Sequence, residues 1–296
     1  MVWKCPPLHL PNWNNLWKWK EQMSKKLVDE APYQPGYEDA VVKPDAWKVG
    51  QEICRKYGQA EVHSRFKQLP IEPLYAHHPD QKFGGLTYAQ HGDDIVIRAV
   101  FSNLGIDNPS YLDIGAHHPT NISNTKLFYD AGSRGINVEA NPNLFQRFMV
   151  ERPHDVNLNF GVGAESGFLD FYMIDEHSGR NSFDYETVAT FVAENPQFSI
   201  TEVRALPVMT VAQILQNRAI PDFLTIDVEG LDYQILDSID FKRYPFKVIC
   251  VEVGSLDNIN YADAISYMLE NNGYFSLIRC GANLIFVAKQ YEHLVR

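Results

Sequence analysis

The sequence has few of the features that mark membrane, secreted or metal-scaffolded proteins. Its 296 residues contain no apolar run near the roughly 18 residues of a membrane span. The N-terminus has no uninterrupted apolar stretch of the kind that a signal peptide requires. The cysteines are far apart, form no CxxC pair and show no zinc-ligand spacing with the histidines: Cys5, Cys54, Cys250 and Cys280. We expect reduced cysteines and a cytoplasmic location.

Positive charge is also scarce. The chain has 26 Lys and Arg against 37 Asp and Glu, a net charge of −11, and no Lys/Arg run follows residue 26. Because nucleic-acid binding requires a positively charged surface, no nucleic-acid partner is predicted. A hydrophobic content of 45% is ample for a globular core.

The first 85 residues differ in character from the rest. They hold all five tryptophans, and helices are predicted over 14–27 and 44–57. We interpret residues 1–85 as a helical, loop-rich extension of a main domain that spans 86–296. The extension is expected either to wrap that domain or to form part of a subunit contact, which would make the protein a homo-oligomer.

The most informative stretch of the main domain is YLDIGAHHP (111–119), read together with NVEAN (137–141). A short apolar strand ends at Gly115, and Glu139 ends the next apolar run, which is the pattern of a nucleotide-binding βαβ unit. However, no G-x-G-x-x-G motif is present, and Asp113 stands where a pyrophosphate would lie. Two negative groups would repel there, whereas S-adenosylmethionine (SAM) carries an ammonium and a sulfonium. The pattern therefore predicts a SAM site.

The order of predicted elements after residue 86 indicates an α/β fold. It gives a seven-stranded, mostly parallel, Rossmann-like sheet in which only the last strand runs antiparallel, as in class I SAM methyltransferases. A further strand is predicted over 168–174 as a hairpin partner of the third strand, and 176–206 is predicted to be a loop or short helix. Functional residues are expected at the carboxyl ends of the parallel strands. Four acids fall there: Asp113, Glu139, Asp227 and Glu252.

Six blocks of sequence resemble the FkbM family of SAM-dependent methyltransferases, in that family's order. They are YAQHGDD (88–94), YLDIGAHHP (111–119), INVEANP (136–142), NFGVG (159–163), FLTIDVEGLDYQIL (223–236) and VICVEVG (248–254). The resemblance implies O-methylation of a hydroxyl on a sugar, a glycan precursor or a related secondary metabolite. The partner would then be a small-molecule or glycan acceptor.

Within that resemblance, particular residues are assigned to the cofactor. Asp113 and Gly115 would approach the methionine part of SAM, the glycine because backbone must come close to the ligand. Glu139 would accept hydrogen bonds from both ribose hydroxyls. Asp227 would lie next to the reactive methyl group. Further candidates, the first from the resemblance alone, are Gln90, Asn141 and Val162.

Methyl transfer to an alcohol needs alignment of the reacting atoms and a group that takes the hydroxyl proton. Asp227, Glu229 and His117 are the candidate bases, with His118 as an alternative to His117. The acids of the IDVEG block are favoured over the histidines, because a lone histidine is more often a structural donor.

A metal ion could lower the pKa of the hydroxyl instead. Asp227 and Glu252 follow neighbouring strands and could hold Mg²⁺ together with water and substrate oxygens. The alternative is that Glu252 is paired with a backbone, Lys or Arg donor.

Two other functions stay open on the sequence. One is an NAD-binding oxidoreductase or epimerase on a degenerate Rossmann unit, against which the missing glycines and Asp113 count. The other is a non-catalytic SAM-binding module on a methyltransferase fold, against which the intact Asp227 and Glu229 count.

Overall fold

Ten strands are found in the computed structural model, which describes residues 87–254 and 259–296. In chain order they are β1 (Tyr111–Ile114), β2 (Gly135–Val138), β3 (Val156–Leu158), β4 (Gly161–Val162), β5 (Gly167–Met173), β6 (Glu202–Met209), β7 (Phe223–Ile226), β8 (Val248–Glu252), β9 (Tyr274–Cys280) and β10 (Asn283–Ala288). The extension at 1–85, its two predicted helices and its predicted subunit contact lie outside the described residues.

Eight α-helices alternate with the strands in the described part of the chain. They are α1 (Asp93–Asn103), α2 (Lys126–Ala131), α3 (Pro142–Glu151), α4 (Tyr185–Glu194), α5 (Val211–Ile214), α6 (Asp232–Asp237), α7 (Ile259–Asn271) and α8 (Glu292–Val295). Local chemistry fixes several of the helix starts. Asn141 caps α3 and is followed by Pro142, while Thr210 and Gln213 form a reciprocal capping box at α5. Within the described residues, no helix is both long enough and apolar enough to span a bilayer.

The main sheet has the strand order β3-β2-β1-β7-β8-β10-β9. Its described pairs are parallel except for those of β10, which runs antiparallel to β8 and β9. The predicted sheet of seven strands with one antiparallel strand is therefore confirmed. All residues of β1 and β7 are buried, because helices cover both faces of the sheet. Leu112 and Ile114 face one apolar cluster, and Tyr111 faces the other.

A second sheet of three strands, in the order β4-β6-β5, corrects the sequence prediction. The strand predicted over 168–174 is β5, but it pairs antiparallel with β6 rather than with β3. The segment 176–206 is not only a loop or short helix, since it contains α4 and the first part of β6. Strand β6 could not be recognised in the sequence, because half of its side chains are exposed and Pro207 lies inside it, and proline is rare within strands.

A fully buried arginine, Arg152, joins four segments beneath the turn that follows β1. Its Nε donates to Asp155 at 3.0 Å, and its Nη1 donates to the carbonyl of Pro119 at 3.0 Å. Its Nη2 donates to the hydroxyls of Tyr111 and Thr125, each at 2.9 Å. Tyr111 in turn donates to Asp155 at 2.6 Å. Each of these four segments therefore accepts a hydrogen bond from the same guanidinium.

We predict that Arg152→Met destabilises the fold by about 3–5 kcal/mol, because it leaves the buried Asp155 carboxylate without its counter-charge. The matched control is Arg147→Met on α3, the helix that ends just before Arg152, where the paired side chains of Arg147 and Glu151 are 51% and 34% exposed. That substitution should cost less than about 1 kcal/mol. Urea denaturation of both variants measures the difference, and equal losses would contradict the role given to Arg152.

Candidate active site

A cavity of about 290 Å³ opens at the carboxyl ends of β1, β2, β7 and β8. It brings together all ten residues that the sequence assigned to catalysis, cofactor or metal. They are Gln90, Asp113, Gly115, His117, Glu139, Asn141, Val162, Asp227, Glu229 and Glu252. These residues lie far apart in the chain. The parallel strand order brings together the acids Asp113, Glu139, Asp227 and Glu252, since the carboxyl ends of parallel strands share one edge of the sheet, whereas Gln90 comes from the loop before α1 and Val162 from β4.

The turn after β1 approaches the turn after β7 more closely than any side chain would permit. Gly115 has φ +76°, and a Cβ at this position would overlap the carbonyl oxygen of Asp227. The amide of Asp227 also donates to the carbonyl of Ile114 at 3.0 Å. The sequence explained Gly115 by the approach of a ligand, but the structure supplies a nearer cause in this backbone contact.

Asp113 lies behind the turn and is almost fully buried. Burial raises its pKa to about 6, although the hydroxyl of Thr125, which donates to it at 2.7 Å, and the charge of Arg152 both act to lower it. The carboxyl group of Asp113 thus connects the cavity to the buried arginine network.

Glu139 holds the turns after β1 and β2 together. One of its carboxylate oxygens accepts from the amide of His117 and the other from the amide of Asn141, both at 2.7 Å. Burial raises its pKa to about 7, against the effect of the two amides. Each oxygen keeps a further lone pair, so the carboxylate can still accept hydrogen bonds from a ligand in the cavity.

Asn141 and Val162 line the same half of the cavity as Glu139. The side chain of Asn141 is already engaged, since Oδ1 caps α3 at the amide of Asn143 and Nδ2 donates to the carbonyl of Glu176 at 2.9 Å. Val162 is buried in β4 and offers an apolar surface.

Gln90 enters the cavity from a loop that Asp94 organises. The Asp94 carboxylate accepts from the hydroxyl of Thr87 at 2.6 Å and from the amide of Tyr88 at 2.7 Å. Asp94 is also the second residue of α1, so the loop is fixed to the start of that helix. These contacts give a physical reason for the position of Gln90, which the sequence supported only through the family resemblance.

The two histidines of the HHP stretch have different positions. His117 lines the cavity beside Glu139, has φ +51°, and its Nε2 lies 3.3 Å from the carbonyl of His177. Burial lowers its pKa. His118 is not part of the lining; its Nδ1 accepts from the amides of Thr120 and Asn121 and so caps its own turn. His118 therefore has a structural role.

Three carboxyl groups meet at the other half of the cavity. Asp227, Glu229 and Glu252 each present an oxygen within 4.8 Å of the others. Burial, then the charges of Glu252 and Glu229, raise the pKa of Asp227 well above its usual range. Glu252 therefore lies next to two other acids of the cluster.

The turn that carries these acids is held by Asp232, the first residue of α6. Its buried carboxylate accepts from the amides of Val228 and Gly230, at 3.1 and 3.3 Å. Glu229 between them has φ +56°, which projects its side chain towards the cavity.

Arg180 completes the cluster and was not identified from the sequence. Its Nη1 donates to Glu229 at 2.6 Å from the segment between β5 and α4. Burial and Glu252 raise the pKa of Glu229 to about 7, while Arg180 acts to lower it. The sequence predicted only a loop or short helix over 176–206, and no local pattern distinguished this arginine from others on the surface.

The charge of the lining fits a positively charged ligand. Within the described residues, five carboxylates line the cavity against the single guanidinium of Arg180. An ammonium or sulfonium would be attracted to that surface, and a pyrophosphate would be repelled. The apolar side chains of the lining, including Phe160, Val162 and Phe171, suit a flat heterocyclic ring. The donor set and shape of the cavity therefore fit SAM.

These raised pKa values predict that the ligand-free protein loses stability as the pH rises. Unfolded carboxyl groups titrate near 3.8–4.5, whereas those of Asp113 and Glu139 titrate at about 6 and about 7 in the fold. The folded state therefore binds more protons across this window, so its free energy of unfolding falls by about 3 kcal/mol or more from about pH 5 to about pH 8.

Thermal unfolding across this pH range measures the loss, and Asp227→Asn provides the control. Because the amide cannot ionise, the variant should exceed the wild type in stability at high pH and lose this advantage as the pH falls. A wild type that becomes more stable towards about pH 8, or a variant without this gain, would contradict the burial argument.

The solved structures that this chain resembles include three methyltransferases of low similarity. The FkbM methyltransferase of Methylobacillus flagellatus KT is 12% identical, with a TM-score of 0.37, and the alignment covers 61% of this chain and 44% of that chain. The precorrin-6y C5,15-methyltransferase of Geobacter metallireducens GS-15 is 19% identical, with a TM-score of 0.32, covering 66% of this chain and 88% of that chain. The TehB-like SAM-dependent methyltransferase of Corynebacterium glutamicum ATCC 13032 Kitasato is 10% identical, with a TM-score of 0.36, covering 71% and 92%.

Comparison with curated protein sequences gives no match. The family of this chain is therefore assigned by comparison with known protein families. In that comparison the methyltransferase FkbM domain matches residues 113–276, or 164 of the 296 residues. The matched region contains the four acidic strand ends that line the cavity, on the sheet order predicted for a class I SAM methyltransferase. This match favours methyl transfer over the NAD-dependent alternative. The chain belongs to the FkbM family of SAM-dependent methyltransferases.

Proposed function

We propose that the protein is a cytoplasmic SAM-dependent O-methyltransferase that acts on a hydroxyl of a sugar, a glycan precursor or a related secondary metabolite. The observation that supports this proposal is the cavity itself. It joins a carboxylate suited to a ribose, Glu139, to the carboxyl cluster of Asp227, Glu229 and Glu252. One half can hold a nucleoside, and the other can bind a cation and remove a proton.

Residues of the first half would hold SAM. Glu139 would accept hydrogen bonds from the ribose hydroxyls through its free lone pairs, and Val162 would pack against the adenine. Asp113 and the backbone at Gly115 would face the methionine part, while Gln90 and Asn141 are the remaining candidates at the rim. When bound, SAM supplies an electrophilic methyl carbon on a positively charged sulfur, which keeps the electron pair of the broken bond as the alcohol oxygen attacks.

The chain's own chemical task is to take the hydroxyl proton, and we assign it to Asp227, with Glu229 as the second candidate. A carboxylate of raised pKa is a better proton acceptor near neutral pH than an ordinary one. Asp227 belongs to the acid cluster, whereas the Nε2 of His117 is directed at the carbonyl of His177. Geometry thus favours the acid over the histidine as the base.

A divalent cation is the rival explanation of the same cluster. Asp227 and Glu252, joined by Glu229, offer three carboxylate oxygens within 4.8 Å of one another, a donor set that Mg²⁺ accepts. In that case the carboxylates would hold the ion, and the lowered pKa of a bound hydroxyl would replace the base. The two explanations differ in their response to removal of metal.

We predict that Glu139→Ala weakens binding of S-adenosylhomocysteine (SAH) by about 10- to 100-fold, because hydrogen bonds to a charged acceptor are lost. Isothermal titration calorimetry measures this effect. The matched control is Glu270→Ala, an exposed acid on α7, which should bind SAH as the wild type does. Unchanged binding by Glu139→Ala, or no binding by the wild type, would refute the proposed site.

We also predict that Asp227→Asn lowers the turnover number by about 10²–10⁴-fold, the usual contribution of a general base, while SAH binding is retained. Transfer of radiolabelled methyl from SAM to a panel of free sugars and methyl glycosides provides the assay. EDTA should leave the wild-type rate unchanged, and Glu252→Ala should remain active.

Inactivation by EDTA, with recovery on addition of Mg²⁺, would contradict the general-base mechanism and support a metal site at Asp227 and Glu252. Tight SAM binding without transfer to any member of the panel would instead favour the non-catalytic module.

A further inference from the structure

A strap of chain, residues 175–183, lies between β5 and α4 and touches both halves of the cavity. On the nucleoside side, the carbonyl of Glu176 accepts from Asn141 at 2.9 Å, and the carbonyl of His177 lies 3.3 Å from the ring of His117. On the acid side, the hydroxyl of Ser182 donates to the carbonyl of Glu229 at 2.8 Å. The strap is therefore placed where a ligand spanning both halves would meet it.

The strap keeps its shape through contacts that do not involve Arg180. The backbones of Tyr172 and Ser182 exchange two hydrogen bonds, at 2.8 and 3.2 Å. The side chain of Asn181 accepts from the amide of Ile174 and donates to the carbonyl of Asp175, both at 2.8 Å. Removing the guanidinium should therefore change the charge of the site without unfolding the strap.

Arg180 reaches the acids from the solvent side of the cavity. Its side chain is 50% exposed, whereas that of its partner Glu229 is 15% exposed. The guanidinium donates to Glu229 at 2.6 Å and is also subject to the charges of Glu252 and Asp227. Among the described residues that line the cavity, it is the one arginine or lysine. It therefore sets how much negative charge the acid half presents to a ligand.

We propose that Arg180 determines the charge specificity of the cavity, as the internal counter-ion of Glu229 that limits the preference for a cationic methyl donor over its neutral product. This inference rests on the proposed function. Transfer of the methyl group converts the sulfonium of SAM into the uncharged thioether of SAH. A fully unpaired acid cluster would favour the cation strongly, and pairing Glu229 with Arg180 reduces that attraction.

The test compares two ligands that differ in charge at the reacting position. Sinefungin carries an amine where SAM carries its methylsulfonium, and SAH is neutral there. Calorimetry at a single pH, with EDTA present, gives the ratio of the SAH to the sinefungin dissociation constant for each variant. A role in holding the strap would change both constants together, whereas a role in charge changes their ratio.

We expect Arg180→Gln to raise this ratio about tenfold, because one positive charge is removed from the acid half. Arg180→Lys, which keeps the charge, should stay within about twofold of the wild type. Glu229→Gln should lower the ratio, since it leaves Arg180 unpaired. The double variant Arg180→Gln/Glu229→Gln should return it to near the wild-type value, as the two charges are removed together.

Two results would overturn the inference: an unchanged ratio in Arg180→Gln, which includes equal weakening of both ligands, or a lysine variant that behaves like the glutamine variant. In each case SAH binding by the wild type would leave the proposed function intact. If the wild type bound neither ligand, the proposed function itself would fall, and the charge role of Arg180 with it.

Discussion

The close approach of two turns, at Gly115 and Asp227, is the constraint from which the geometry of the site follows. The strands β1 and β7 lie side by side in parallel register, with Ile114 opposite Ile226, so their carboxyl ends emerge together. The absence of a side chain at Gly115 lets the Asp227 carbonyl lie against the first turn. Any larger residue would force apart the half of the cavity that holds Glu139 and the half that holds the acid cluster, and a ligand spanning both could not be held.

Around this contact the structure concentrates acids that the fold alone would not favour. Burial raises the pKa of Glu139 and of Asp232 to about 7, and that of Asp227 well above its usual range. Such groups destabilise the ligand-free protein near neutral pH, because ionised carboxyls are enclosed without enough positive charge. The same imbalance favours a cationic ligand, whose arrival supplies the missing charge. Stability and binding at this site therefore depend on pH in opposite senses.

The sheet could be predicted because its signals are local. Short apolar strands such as Phe223–Ile226 end at acids, and the order of strands and helices fixes how they are arranged. Strand β6 could not be predicted, since its exposed side chains and internal proline leave no pattern. Arg152 and Arg180 escaped notice for a different reason. Arg152 has one partner nearby, Asp155, but its others lie far away in the chain, as Tyr111 does at 41 positions, and Glu229 lies 49 positions from Arg180. A single arginine carries no periodicity that would point to such partners.

The two histidines of the HHP stretch show that a conspicuous sequence motif does not by itself reveal a residue's role. They stand out in the sequence as bases, yet the structure uses His118 to cap its own turn and directs the ring of His117 at the strap. His117 has a positive φ, and its amide is bound by Glu139. One residue therefore connects the turn after β1, Glu139 and the strap that carries Arg180. A ligand that displaced Glu139 or His117 would also shift the strap, and through Arg180 the acid cluster of Asp227, Glu229 and Glu252.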